Sequence, residues 1–126
     1  MAENDLKVIV KAKELAVHSF KLTSNCNRYP KKYRHSLVDR IQGGSIDIYS
    51  FLSEAYQINH AKHKKGLCRR IINAISSCED MLICVDEWKA ICITEESLIL
   101  LDNIEKNVCD VEKMSIEWLR EEKYAR

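Results

Sequence analysis

The chain has 126 residues, 46% of them hydrophobic, with three Gly and one Pro, and its formal net charge is +1. A length in this range predicts a single domain spanning residues 1–126 that buries its own core without covalent staples. The near-neutral sum excludes a protein that is basic over its whole surface, yet it conceals a split: residues 28–70 carry ten Lys/Arg against three Asp/Glu, and residues 71–126 carry six against thirteen.

β-branched and aromatic residues do not alternate with polar ones over any useful length, so the chain reads as all-α. No apolar run approaches the roughly 18 residues that a membrane span needs. The longest is Met81–Val85, and Met1–Asp5 is acidic rather than signal-like. These features predict a soluble, cytoplasmic protein with no membrane partner.

The first helix is predicted from an N-cap near Asp5 to Thr23, with Leu6, Ile9, Ala12, Ala16 and Phe20 spaced three or four apart. Thr23–Asn27 breaks the pattern with short polar side chains that compete for the backbone, and Pro30 suits the first position of a second helix. That helix runs to about Asn59 and places Leu37, Ile41, Gly44, Ile48, Leu52 and Ala55 on one stripe. Each residue of the Gly43-Gly44 pair costs up to about 1 kcal/mol relative to Ala in a helix interior. The pair therefore calls for a kink or a close helix crossing, and the unbroken register beyond it favours the crossing.

His60–Lys65 reads as a connection, followed by a third helix with Leu67, Ile71, Ala74 or Ile75, Cys78, Leu82 and Val85 on its stripe. The pattern changes after Trp88. Thr94 then reads as the N-cap of a fourth helix whose first residues, Glu95 and Glu96, suit a helix N-terminus. Leu98, Leu101, Ile104 or Glu105, Val108, Val111, Ser115 and Trp118 approximate a heptad seam. Four long helices with short connections predict an antiparallel up-down-up-down four-helix bundle. Val10, Val17, Leu22, Tyr49, Phe51, Tyr56, Ile72, Ile83, Ile91, Ile99, Leu100 and Ile116 fall partly off these stripes. A bundle of this size is expected to leave part of them outside its core, which predicts homo-oligomerisation, with ordinary scattered surface Leu and Ile as the competing reading.

Cys26, Cys68, Cys78, Cys84, Cys92 and Cys109 are widely spread with no export signal, so reduced thiols used as small core residues are expected. His60, His63 and Cys68 form H-x2-H-x4-C, but a fourth ligand and a paired C-x-x-C are lacking, so solvated histidines are the preferred reading. No Gly-rich phosphate loop, nucleophile elbow or H-E-x-x-H motif occurs. None of the four His, including His18 and His35, follows an acid at the Glu-x-x-His offset of di-iron bundles. The expectation is a non-enzymatic protein without metal or cofactor.

The stretch Arg28-Tyr-Pro-Lys-Lys-Tyr-Arg-His35 interleaves Tyr29 and Tyr33 with Arg28, Lys31, Lys32 and Arg34, and Arg40 follows. Such a composition contacts phosphates while an aromatic ring stacks on an unpaired base. Lys62, Lys64, Lys65, Arg69 and Arg70 form a second basic stretch. The two are predicted at opposite ends of the second helix, roughly 40 Å apart. Solvated helix ends are the competing reading for these cations.

Across Tyr29–Tyr56, with the sequence YPKKYRHSLVDRIQGGSIDIYSFLSEAY, the chain resembles the four-helix-bundle family of the accessory variability determinant (Avd) of diversity-generating retroelements. That family is related to proteins encoded in intervening sequences of bacterial ribosomal RNA genes. The matching pattern is Pro30-Lys31, Arg34, Leu37, Ile41, Ile48, Leu52 and Ala55, with echoes in Ile93-Thr94 and Trp118-Leu119. The resemblance implies a homopentamer that binds RNA or DNA through a basic surface including Arg34 and associates with a reverse transcriptase. The acidic last helix departs from the strongly basic family pattern.

Overall fold

The computed structural model describes residues 3–23, 34–57, 60–91 and 95–124, with side chains for 6–23, 37–57, 64–91, 95 and 98–123. The described residues form four helices and no strand: α1 (Glu3–Thr23), α2 (Arg34–Gln57), α3 (His60–Ile91) and α4 (Glu95–Tyr124). α2 packs most heavily on α3, α3 on α4, and α1 on both α2 and α4, which closes a four-helix bundle. Among the described residues, no helix is long and apolar enough to cross a membrane.

The stripes of α2, α3 and α4 account for most of the core. Leu37, Ile41, Ile48, Leu52 and Ala55 are buried along α2, and they face Leu67, Ile71, Ala74, Cys78, Met81, Val85 and Trp88 of α3 and Leu101 to Trp118 of α4 in one cluster. The predicted close crossing exists at one glycine of the pair. A Cβ on Gly44 would lie 2.7 Å from Met81 Cγ, whereas nothing stands within 4 Å of one on Gly43. α2 runs unbroken through both.

α1 differs from the sequence expectation in its register. Its core line is Val8, Ala12, Leu15, Ser19 and Leu22, while the expected core residues Leu6 and Phe20 are exposed, as is Leu98 at the start of α4. Ile9 and Ala16 are half-buried. The physical reason is that α1 carries apolar residues on two opposite faces, and periodicity alone does not say which meets the bundle. Ala12 and Ser19 are small enough to let the helix seat on the line that won. Leu22, expected as surplus, is core; Tyr49, Phe51, Tyr56, Ile91 and Leu100 pack partly buried against it; Val10, Val17, Ile72, Ile83, Ile99 and Ile116 are exposed.

His60–Lys65 is not a connection, because α3 already begins at His60. Ala61 and the lysines are good helix formers, and the cluster of positive charge was a signal of solvation rather than of a break. Gly66 sits inside the helix, where an added Cβ would make an ordinary 3.5 Å contact with Arg70 Nη1. α3 likewise continues past Trp88 to Ile91. The expected helix start at Pro30, the break at 24–27, the end of the second helix at Asn59 and the Thr94 cap lie outside the described residues.

Candidate nucleic-acid interface

The cations expected at the interface separate into three groups. Arg28, Lys31 and Lys32, with Tyr29 and Tyr33, lie outside the described residues; Arg34 and Lys62 are placed in α2 and α3, but their side chains are not described. Arg40 and Arg70 are engaged within the fold. Arg40 Nη1 donates to Glu87 Oε2 at 2.6 Å, a bond that is the main cause raising the guanidinium pKa. Arg70 Nε donates to Glu54 Oε2 at 3.2 Å and its Nη1 to the Gly66 carbonyl at 3.2 Å. Both pairs link α2 to α3. Arg40 also borders a depression of about 290 Å³ whose other charged residues are Asp39, Asp47 and Asp80, a poor surface for phosphate.

Lys64, Lys65 and Arg69 come together. With Cys68 and Ile72 they line one side of an open depression of about 510 Å³, and Lys123 of α4 lines the other. The spacing 64, 65, 68, 69, 72 keeps these α3 side chains on one face. Lys64 Nζ donates to the Lys123 carbonyl at 3.2 Å, which ties the start of α3 to the end of α4. Four cationic side chains thus surround a strip made of Ile72 and a half-buried free thiol. Sequence reasoning missed Lys123 because it belongs to the acidic stretch; the signal was its position in the last turn of a helix that packs on α3.

A second groove, between α1 and α4, has a volume of about 690 Å³ and is lined by Lys11, His18 and Lys21 of α1, Asn103, Lys106, Asn107 and Asp110 of α4, and an apolar floor of Leu22, Leu100 and Ile104. His18 Nδ1 and Asn107 Nδ2 are 3.1 Å apart. α4 sorts its charges by face. Asp102 and Glu105 turn toward Lys89 of α3, with Lys89 Nζ 2.6 Å from Asp102 Oδ1 and also bonded to Glu105, and the two bonds raise the lysine pKa. The spacing 103, 106, 107, 110 was the available signal that the α1 side of this acidic helix is not itself uniformly acidic.

Three of the described thiols, Cys78, Cys84 and Cys109, are held toward the protonated form. Burial first, then Glu112, Cys109 and Glu79, pushes the Cys78 thiol up to about 12. Burial also raises Cys84 and, aided by Glu105, Glu112 and Asp110, Cys109. A thiol held protonated at neutral pH neither attacks nor binds metal readily. Among the described residues, no group of three or more His, Cys, Asp and Glu is placed to hold a metal ion; the side chains of His60 and His63 lie outside them.

No family model matches the chain, and no curated protein or solved structure matches it either.

Proposed function

We propose that the protein is a non-enzymatic accessory protein that binds RNA or DNA, assembles as a homopentamer and works with a retroelement reverse transcriptase in the cytoplasm, as the Avd resemblance implies. The observation that carries the nucleic-acid part is the convergence of Lys64, Lys65, Arg69 and Lys123 from two helices around one depression. Phosphates of a strand would meet the cations, and the half-buried Cys68 would give a base or sugar an apolar surface. The antiparallel up-down arrangement is supported by the paired positions: 40 with 87 and 54 with 70 across α2–α3, then 64 with 123 and 89 with 102 across α3–α4. Numbers rise on one helix as they fall on its neighbour.

Fluorescence anisotropy with short single-stranded and duplex oligonucleotides at low and physiological salt tests this reading. Binding should weaken steeply with salt as counterions are released. Lys65→Glu combined with Arg69→Glu should lower low-salt affinity by about tenfold or more and flatten the salt slope by about two. Salt-independent binding, or a double variant that binds like the parent, would count against it.

A second reading, a self-assembling protein-interaction module without nucleic acid, is favoured by the ion pairs of Arg40 and Arg70 and by the exposed apolar residues of α1. It predicts an oligomer that ignores oligonucleotides.

A further inference from the structure

Opposite its core line, α1 carries a second apolar line: Leu6, Val10, Val17 and Phe20 are 49%, 50%, 44% and 41% exposed. At about 100° per residue these four lie within roughly 40° of one another's mean direction, on the side away from Ala12 and Leu15. A single charge, Lys13, interrupts them. α3 has an outer line of its own, with Ile72 at 45% and Ile83 at 55% exposure and the exposed Glu79 between.

The two lines match at three positions, while in the same register Phe20 falls beside the exposed Asp86. Leu6 and Val17 are eleven residues apart, as are Ile72 and Ile83, and Lys13 follows Leu6 by seven just as Glu79 follows Ile72. Eleven residues rise about 16 Å along a helix. Laid side by side in parallel, Leu6 meets Ile72, Lys13 meets Glu79 and Val17 meets Ile83, with the small Ser76 opposite Val10. From this register we infer that the outer face of α1 in one copy docks on the outer face of α3 in the next copy. The inference rests on the self-association part of the proposed function and names its surface.

Three further observations fit. Within one chain α1 packs on α2 and α4, with α3 across the bundle, so the two faces look away from each other and the contact is head-to-tail. Such a contact repeats into a ring or an open filament rather than stopping at a two-fold dimer. In an up-down bundle α1 and α3 run the same way, so a parallel register needs no reversal between neighbours. Glu79 also lies near Glu112 of α4, whose pKa is raised by burial first and by Glu79 second, so a lysine delivered to Glu79 would relieve a like-charge pair. The contact begins at Ile72, on the edge of the lysine-lined depression, and extends toward Ile83, leaving Lys64, Lys65, Arg69 and Lys123 outside it.

Size-exclusion chromatography with light scattering on the full chain tests it. The parent should form an oligomer, Lys13→Glu and Glu79→Lys should each raise the dissociation constant of the contact about tenfold, and the combined swap should restore assembly. Val17→Glu, a position exposed on the single chain and off its core line, should give smaller species at every concentration tried while keeping the helical circular-dichroism signal. An oligomer indifferent to these changes, or a combined swap that fails to recover, overturns the interface alone. A parent chain that is monomeric at high concentration overturns the self-association reading with it.

Discussion

Across the α2–α3 seam, Gly44 brings the two helices close over Met81, and Arg40–Glu87 and Arg70–Glu54 join them on the surface. Across the α1–α4 seam, by contrast, side chains stand around a groove of about 690 Å³ whose rim carries Lys11, Lys21 and Lys106 against Asp110. The tight seam pairs its arginines Arg40 and Arg70 with glutamates, while the open seam carries its lysines at the rim of a groove. Charge counted along the chain is therefore a poor guide to charge a partner can meet. Arg40 and Arg70 belong to the basic stretch and are engaged by glutamates, whereas Lys106 and Lys123 belong to the acidic stretch and line depressions.

The largest expected effect breaks the tight seam. Gly44→Leu drives a side chain into Met81, because even a Cβ there would lie 2.7 Å from Met81 Cγ. Overpacking of this kind costs about 3 kcal/mol. Gly43→Ala, one residue away with nothing within 4 Å, should instead stabilise α2 by up to about 1 kcal/mol. Urea unfolding of both variants measures the contrast, and equal effects would show that the seam is no tighter at residue 44 than beside it.

How far the fold was legible follows from the same comparison. The α2 stripe from Leu37 to Ala55 could be read because one continuous apolar line runs along the helix and the opposite face carries only the isolated Ile46 among the described large apolar residues, so periodicity has one solution. α1 has two solutions, and the choice between the Leu6 line and the Val8 line is made by what it packs against, which no local pattern contains. The start of α3 is hard to read because Lys and His are frequent in loops although neither breaks a helix. Part of the candidate interface was visible as Lys64, Lys65 and Arg69. Lys123 and the α1–α4 groove depend on which helices become neighbours, and the pairing of Arg40 with Glu87 joins residues distant in the chain.

Between the two seams in character lies α3–α4, where Cys78 is buried near Glu112 and Cys109. Its thiol keeps its proton to about 12 in the folded protein, against an ordinary value of 9.0. The folded state thus binds one more proton than the unfolded chain between these values. Stability should be undiminished below pH 9 and fall as pH rises from 9 toward 12, by at most about 1.4 kcal/mol per unit. Unfolding midpoints at pH 8 and 10 check the sign. Cys78→Ala should flatten the decline, leaving the smaller contributions of Cys84 and Cys109, whose thiols burial also raises; an unaltered slope would place the alkaline loss elsewhere. Lys89, held up by Asp102 and Glu105, adds its own loss only above its ordinary 10.5, so the window between pH 9 and 10 isolates the thiols.

The smallest effect is the most informative about charge available to a partner. The Arg40 and Glu87 side chains are 46% and 51% exposed, so water and salt screen the pair and Glu87→Gln should cost less than about 1 kcal/mol. What changes is the state of Arg40. Freed from Glu87, it would add one cation to the surface, but Asp39, Asp47 and Asp80 border the same depression. The affinity of Glu87→Gln for a short oligonucleotide at low salt should therefore rise by no more than about threefold, since one added phosphate contact beside three carboxylates gains little. A tenfold gain would mean that nucleic acid already lies along the α2–α3 face. The Lys64, Lys65, Arg69 and Lys123 depression would then be secondary, and the tight seam rather than the end of α3 would be the surface the strand follows.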